Sequence, residues 1–174
     1  TRGLAWALCG FAELLEFLDP FLDNERTLSK LVSPRLFEPP MPGQSREVRR
    51  WPLAARTKVI LVEAATATAD FYLDNSCADG IPMWDTGAPN LHRLGNYLSQ
   101  PADPFNKFEP VDSSAAAIAA QGLWRLGKYL NASRITHHAS RSKHAALTIA
   151  DTLFSAPYLS TDAKHQGLIL HSVY

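Results

Sequence analysis

Apolar residues recur at helical spacing in four stretches of this chain. In residues 4–22 they return every three or four positions, at Leu4, Leu8, Phe11, Leu15, Leu18 and Leu22. In residues 53–75 a second stripe consists of Val59, Val62, Thr66, Ala69 and Leu73. Residues at this spacing lie on one face of a helix. The pattern predicts two amphipathic helices, of which Pro20 ends or bends the first and Asn75 ends the second.

The third helical stretch is residues 111–130, in which the first two turns are almost entirely alanine. Asp112 or Ser113 can cap it, because a side-chain oxygen there accepts hydrogen bonds from the free N–H groups of the first turn. Gly122 and Gly127 lower helix propensity relative to alanine, which points to a close approach of a neighbouring helix or a ligand.

Asn131 is expected to end that helix, and Ser140 or Ser142 to start a fourth one that continues to Phe154. The inner face of the fourth helix is predicted to carry Ala146, Ile149, Ala150 and Leu153. Pro157 follows and cannot continue a helix. The four stretches together predict an all-α fold.

The connections between these helices are rich in proline. Residues 24–52 also carry a basic cluster, and we expect them to form a solvated irregular loop or insertion rather than a partner site. Their prolines and the nearby arginines are Pro34, Pro39, Pro40, Pro42, Pro52, Arg46, Arg49, Arg50 and Arg56. Residues 90–110 form a second, polar connection.

Composition narrows the function classes. The 174 residues include 17 basic and 17 acidic side chains, so bulk charge does not favour nucleic acid as a partner. No apolar run approaches the length of a membrane span. Cys9 and Cys77 are too few for a disulfide framework, and the histidines lack metal-ligand spacing. Phosphate-binding loops and the serine-hydrolase elbow are also missing, so we expect no metal and no cofactor.

Two residue pairs are candidates for sugar recognition. Arg2 and Trp6 are four positions apart, and are therefore neighbours on the surface of the first helix. They are either a cation and an aromatic plate for an anionic sugar, or a solvated arginine beside a half-buried tryptophan. Trp84 and Asp85 combine an aromatic face with a hydrogen-bond acceptor, which sugar sites need. The alternative is a loop tryptophan packed on the core, followed by an aspartate in an Asx turn.

Three motifs in order, with the C-terminal tail, resemble glycoside hydrolase family 88, the unsaturated glucuronyl hydrolases. Residues 2–8, R-G-L-A-W-A-L, are similar to the W-x-R-G-Q-A-W-A start of a family helix. Residues 80–85, G-I-P-M-W-D, resemble the family loop G-[VI]-P-Y-W-D. Residues 112–120 match its D-S-S-A-A-A-I-A-A. Residues 165–174 resemble the stretch before its closing H-R-P-N-G-W-D.

The resemblance implies an (α/α)6 six-hairpin barrel, of which this chain supplies roughly the C-terminal half without its last turn. It also implies hydration of the C4=C5 bond that polysaccharide lyases leave on an unsaturated uronate. Arg2 and Trp6 fall on positions that line the uronate subsite, and Trp84 and Asp85 on its rim. The catalytic aspartates of the family precede the arginine motif, so this chain carries no catalytic residue. Leu4 replaces a glutamine at the rim.

One partial barrel domain is therefore expected over residues 1–174, interrupted by an irregular insertion at about residues 27–60 that matches nothing in the family. Its abrupt change of composition motivates the hypothesis that it is translated non-coding sequence, and a transcript that contains it would refute this. Two other functions stay open: a non-catalytic helical module, and a six-hairpin hydrolase of the unsaturated rhamnogalacturonyl type. Since half a barrel exposes helix faces that normally pair, we expect the isolated chain to aggregate or to need its other half.

Overall fold

The computed structural model describes residues 1–22 and 53–173. These residues form four α-helices and two short 3-10 helices. The α-helices are α1 (Arg2–Leu22), α2 (Leu53–Asp74), α3 (Ser113–Ala132) and α4 (Thr136–Leu153), and the 3-10 helices are Leu91–Leu94 and Tyr97–Ser99. Within the described ranges, extended segments pair only at three isolated bridges. The predicted all-α class is therefore confirmed.

The predicted loop at residues 24–52 lies entirely outside the described residues, as does the first part of the predicted insertion at 27–60. Residues 53–60, which that insertion also included, belong to the first turns of α2. Of the four helices in residues 1–22 and 53–173, none combines the length and the apolar character that crossing a membrane requires.

The helix boundaries follow the sequence pattern at some ends and depart from it at others. Helix α1 continues through Pro20 to its last residue, Leu22, so the proline does not end it there. Helix α3 extends past the predicted terminator Asn131, and its C-cap is Ser133. Helix α4 begins at Thr136, four residues before the first serine proposed as its start.

The early start of α4 has a local cause. Arg134 has a φ of 62°, in the left-handed region that a residue rarely adopts within a helix. This conformation reverses the chain within three residues and lets α4 begin at once. The residue that precedes α4, Ile135, makes no side-chain cap, so the serine signal used to place the start was wrong.

The predicted apolar stripes form the core. On α1, Leu8 and Leu15 are almost completely buried, and on α2 the same holds for Val62 and Ala69. The stripe of α3 contributes Ala116, Ala119, Leu123, Leu126 and Leu130, all without exposed surface. These side chains interlock between the helices, and the burial of their apolar surface is the main favourable contribution to folding.

Helices α1 and α3 lie side by side and run in the same direction. Gln121 contacts Glu13, Arg125 contacts Glu16 and Tyr129 contacts Asp19, at sequence separations of 108, 109 and 110 residues. A nearly constant separation along two helices is the signature of parallel packing, since antiparallel helices keep a constant sum of residue numbers. The charged and polar pairs therefore fix the alignment of α1 with α3.

Each of these parallel helices is followed by an antiparallel partner. Helix α2 packs on α1, and Lys58 near the start of α2 forms an ion pair with Asp19 near the end of α1. Helix α4 packs on α3, and a three-residue turn joins the two helices. The described residues thus form two helical hairpins whose first helices are neighbours.

Glycines allow the closest helix contacts. A Cβ atom at Gly122 would lie 2.9 Å from the backbone nitrogen and Cα of Cys9 on α1. A Cβ at Gly127 would lie 2.7 Å from Cγ of Lys143 and 3.1 Å from the carbonyl oxygen of Ala139 on α4. The close packing predicted for both glycines is confirmed, and its partner is a helix in each case.

We predict that Gly122→Ala lowers the free energy of unfolding by about 1–3 kcal/mol, because the new methyl group meets backbone atoms that cannot move aside. Gly10→Ala is the matched control: it lies within α1, and a Cβ there meets nothing within 4 Å. Its better helix propensity should raise the free energy of unfolding by about 0.5–1 kcal/mol. Urea denaturation of both variants measures these changes, and shifts of the same sign would contradict the packing argument.

Candidate functional site

Arg2, at the first turn of α1, binds the side chain of Asp112, which precedes α3. Its Nε donates to Oδ2 and its Nη2 donates to Oδ1, both at 3.2 Å. The side chain of Asp112 is 3% exposed, whereas that of Arg2 is 36% exposed. Two parallel hydrogen bonds between a guanidinium and a carboxylate fix the orientation of both groups. The partner of Arg2 therefore holds the guanidinium in place while part of it stays open to solvent.

Asp112 is also the N-cap of α3. Its Oδ1 accepts hydrogen bonds from the amides of Ser114 and Ala115, each at 3.2 Å, and from the Ser114 hydroxyl at 2.6 Å. This confirms Asp112, one of the two predicted caps. Burial acts to raise the pKa of Asp112, but the hydrogen bonds from Ser114, Arg2 and Ala115 outweigh it and hold the pKa below its usual range. Asp112 is therefore a carboxylate that positions Arg2, and it is poorly suited to donate a proton.

Trp84 is fixed through its indole nitrogen, which donates to Oε2 of Glu109 at 2.7 Å. The other oxygen of Glu109 accepts from the backbone amide of Asn90 at 2.7 Å and from its side-chain amide at 2.9 Å. The hydrogen bond from Trp84 lowers the pKa of Glu109, with further lowering by Asn90. Trp84 keeps 38% of its surface exposed. The indole is thus an anchored plate with an open side.

Backbone contacts bring Trp84 to the end of the molecule that carries Arg2. The Trp84 amide donates to the Pro110 carbonyl at 3.0 Å, and the Asp112 amide donates to the Pro82 carbonyl at 2.9 Å. The nitrogen of Thr1, next to Arg2, lies 3.2 Å from the carbonyl oxygen of Trp84. The loop that carries Trp84 is therefore attached both to the start of α3 and to the start of α1.

The other two predicted site residues have different surroundings. Trp6 lies one turn after Arg2 on α1 and is 59% exposed. Asp85 follows Trp84, and its Oδ1 accepts a hydrogen bond from the Gly87 amide at 2.7 Å. That contact is the Asx turn which the sequence left as an alternative. Arg2, Trp6 and Trp84 thus present exposed groups near one end of α1, while one oxygen of Asp85 is engaged in its own loop.

The C-terminal segment folds back onto the start of α3. The Ser113 hydroxyl donates to the Leu170 carbonyl at 2.6 Å, and the Ser113 amide donates to the His171 carbonyl at 3.2 Å. The Leu170 amide also donates a hydrogen bond to the Tyr158 carbonyl at 2.7 Å. The C-terminal segment therefore covers the start of α3 at Ser113, next to the cap residue Asp112.

The pKa of the Asp79 carboxyl group is raised by burial. A raised pKa is what a general acid requires, but the contacts of Asp79 serve another purpose. Its two oxygens accept hydrogen bonds from the backbone amides of Ile81 at 3.2 Å and Ala102 at 3.0 Å. Asp79 therefore ties together two parts of the loop between α2 and α3.

Sequence reasoning missed Glu109 and the role of Ser113. Glu109 lies 25 residues from the tryptophan that it holds, and Ser113 lies 57 residues from its acceptor. The one available signal was that Ser113 is one of the two predicted caps, but the structure gives the cap to Asp112 and the Ser113 hydroxyl to Leu170. Among the described residues, no group of three or more histidine, cysteine, aspartate or glutamate side chains is arranged to hold a metal ion.

Comparison with known proteins adds no relative. The chain matches no protein family, no curated protein and no solved structure. The class of protein that the fold and the site define is therefore an all-α protein of two adjacent helical hairpins, with an oriented arginine and exposed tryptophans at one end.

We predict that Asp112→Asn, which keeps a capping oxygen, lowers the free energy of unfolding at neutral pH by about 1–2 kcal/mol through loss of the charged contact with Arg2. Asp112→Ala should cost about 1 kcal/mol more, because the cap is lost as well. The folded-state pKa of Asp112 lies below its unfolded value, so its contribution is complete above about pH 4 and is lost as the pH falls through the folded-state pKa.

Thermal melts from pH 7 down to pH 3 measure this dependence. The gap between the wild-type protein and Asp112→Asn should narrow only in the acidic part of that range. Asp85→Asn is the control, since Asp85 accepts a single backbone amide and its replacement should change stability by less than about 0.5 kcal/mol. A gap that stays constant down to pH 3 would contradict the assignment.

Proposed function

We propose that the chain is part of an unsaturated glucuronyl hydrolase, corresponding to roughly the C-terminal half of its (α/α)6 barrel. The repeating unit of such a barrel is a helical hairpin, and the first helices of successive hairpins lie side by side and parallel. The described residues contain two hairpins in this arrangement. The observation that carries the proposal is the oriented guanidinium of Arg2 beside an exposed tryptophan one turn away. This arrangement suits an acidic sugar at the non-reducing end of an oligosaccharide.

In this proposal Arg2 binds the carboxylate of the uronate. Asp112 occupies Nε and one position on Nη2, which leaves the Nη1 donors for a ligand. Because Asp112 neutralises Arg2, recognition depends on the direction of these donors more than on net charge. The start of α3 adds a partial positive charge close to the pair.

Trp6 and Trp84 supply the apolar contacts. Both indoles are large enough to cover the C–H face of a sugar ring, and their exposed fractions are 59% and 38%. Glu109 holds the Trp84 ring in one orientation, so little side-chain entropy is lost when a sugar binds there. Asp85, at the rim, offers its second oxygen to a sugar hydroxyl.

The chemistry requires a carboxylic acid that protonates C4, after which water adds at C5 and the hemiketal opens to release the remaining oligosaccharide. Asp112 is held as a carboxylate, and Asp79 is bound between two loop amides. In the family that the sequence resembles, the catalytic aspartates precede the arginine motif, and we accordingly assign the general acid to a segment outside this chain. The 174 residues alone should bind substrate groups without turning them over.

A non-catalytic helical module is the second candidate. The observation in its favour is that Asp112 binds Arg2 and caps α3, so both residues already have a structural role without a ligand. A hydrolase of the unsaturated rhamnogalacturonyl type shares the first mechanism and differs in substrate. Enzyme activity distinguishes the non-catalytic module from both hydrolases, and substrate preference distinguishes the two hydrolases from each other.

We predict that unsaturated uronyl disaccharides are consumed by the protein extended upstream of Thr1, and not by the 174-residue chain. The measurement is the loss of absorbance of the C4=C5 bond over time. Within the extended protein, Trp6→Ala should lower kcat/KM by at least about tenfold, because a stacking surface worth about 1.4 kcal/mol or more is removed. Leu147→Ala, an equally exposed apolar residue on α4, is the matched control.

Activity in neither protein, with both folded by circular dichroism, would favour the non-catalytic module. Activity in the 174-residue chain itself would show that the acid lies within it, and Asp85 and Asp112 would then be the residues to replace. A preference for unsaturated rhamnogalacturonyl substrates would identify the related hydrolase.

A further inference from the structure

The loop between α2 and α3 carries a second candidate binding region. It is a cavity of about 330 Å³ that is open to solvent on one side, and neither Arg2 nor Trp84 lines it. This volume is at the lower end of the range of about 300–1,000 Å³ that small-molecule sites occupy. Its apolar wall is formed by Met83, Leu94, Tyr97, Ala102 and Phe108. A ligand the size of a single sugar, with one apolar face, would fit such a wall.

Two cations lie on the rim of this cavity, Arg93 and Lys107. Cζ of Arg93 is 4.3 Å from the centroid of the Phe108 ring, a cation–π contact that restrains the position of the guanidinium. Within residues 1–22 and 53–173, neither cation forms an ion pair with a carboxylate. Their charges are therefore available to a ligand.

The remaining polar residues of the cavity wall build the loop. The Asp103 side chain accepts a hydrogen bond from the Phe105 amide at 2.9 Å. The Asn106 side chain donates hydrogen bonds to the backbone carbonyls of Asp103 and Glu109 at 2.7 and 2.8 Å. Asp103 is the one acidic side chain that lines the cavity, so the two cations leave a net positive charge. Gln100 adds a neutral amide to the wall.

We propose that this cavity binds the oxyanion of a small acidic sugar unit, a carboxylate or a sulfate ester, through Arg93 and Lys107. The ring of the sugar lies on the aromatic wall next to Tyr97, and Gln100 faces its hydroxyl groups. None of Arg2, Trp6, Trp84 and Asp85 lines the cavity. The cavity is therefore separate from the Arg2 site, and the proposal does not depend on the proposed function.

The test is a titration of the full chain followed by the backbone amide resonances, which report on each region separately. The probes are glucuronate, glucose 6-sulfate and neutral glucose. At least one acidic probe should shift the amides of residues 93–108 with saturation, while glucose at the same concentration leaves them unchanged. The acidic probe with the lower Kd identifies the oxyanion that the site prefers.

Arg93→Gln and Lys107→Met should each raise that Kd by about tenfold, because each removes a charged donor. Arg56→Gln and Lys164→Met are the matched controls: both cations are exposed and neither lines the cavity. All four residues are at the surface, so the variants should keep the wild-type pattern of amide resonances. Glucuronate bound at the Arg2 site would shift the amides of Trp84 and Ser114 instead.

The absence of shifts in residues 93–108 with both acidic probes would overturn the proposal. So would equal shifts with glucose, or unchanged affinity in the Arg93→Gln and Lys107→Met variants. Equal weakening by the control variants would also overturn it, since it would show that only the overall charge of the protein matters.

Discussion

The burial of the Asp112 carboxylate is the constraint on which the rest of the structure depends. A buried charge is tolerated only when it is neutralised and hydrogen-bonded. Asp112 satisfies this condition with Arg2 from α1 and with the amides at the start of α3. The same contacts hold the first turns of the two parallel helices together, and pairs such as Arg125–Glu16 continue the alignment further along. With that alignment, Cys9 meets Gly122.

Glu109 plays the corresponding part in the loop between α2 and α3. It is 5% exposed and forms no ion pair within residues 1–22 and 53–173, where its charge is stabilised by neutral donors, the indole of Trp84 and the amides of Asn90. Two buried carboxylates thus hold two of the groups that we assign to sugar recognition, Arg2 and Trp84. Because both acids serve as acceptors for these groups, neither is open to a ligand.

Arg2 and Arg93, the arginines of the two candidate sites, are oriented by different groups. Arg2 is held by a carboxylate, which fixes its direction but removes its net charge. Arg93 is held by the ring of Phe108, which fixes its direction and leaves the charge in place. The first environment favours selection by geometry, and the second favours attraction of any oxyanion of suitable size. One loop therefore connects two sites with different electrostatic properties.

The sequence by itself determined the local features. The apolar stripes of α1 and α2, the cap at Asp112 and the close packing at Gly122 and Gly127 all follow from side-chain spacing and backbone preference within a few turns. The start of α4 was missed because it depends on the positive φ of Arg134, which composition does not encode. Only the tertiary structure decided which charges meet. Arg2 and Asp112 are 110 residues apart, and no periodicity along the chain reaches that far, so their contact, and the Arg2 site that depends on it, appear only once the helices are packed.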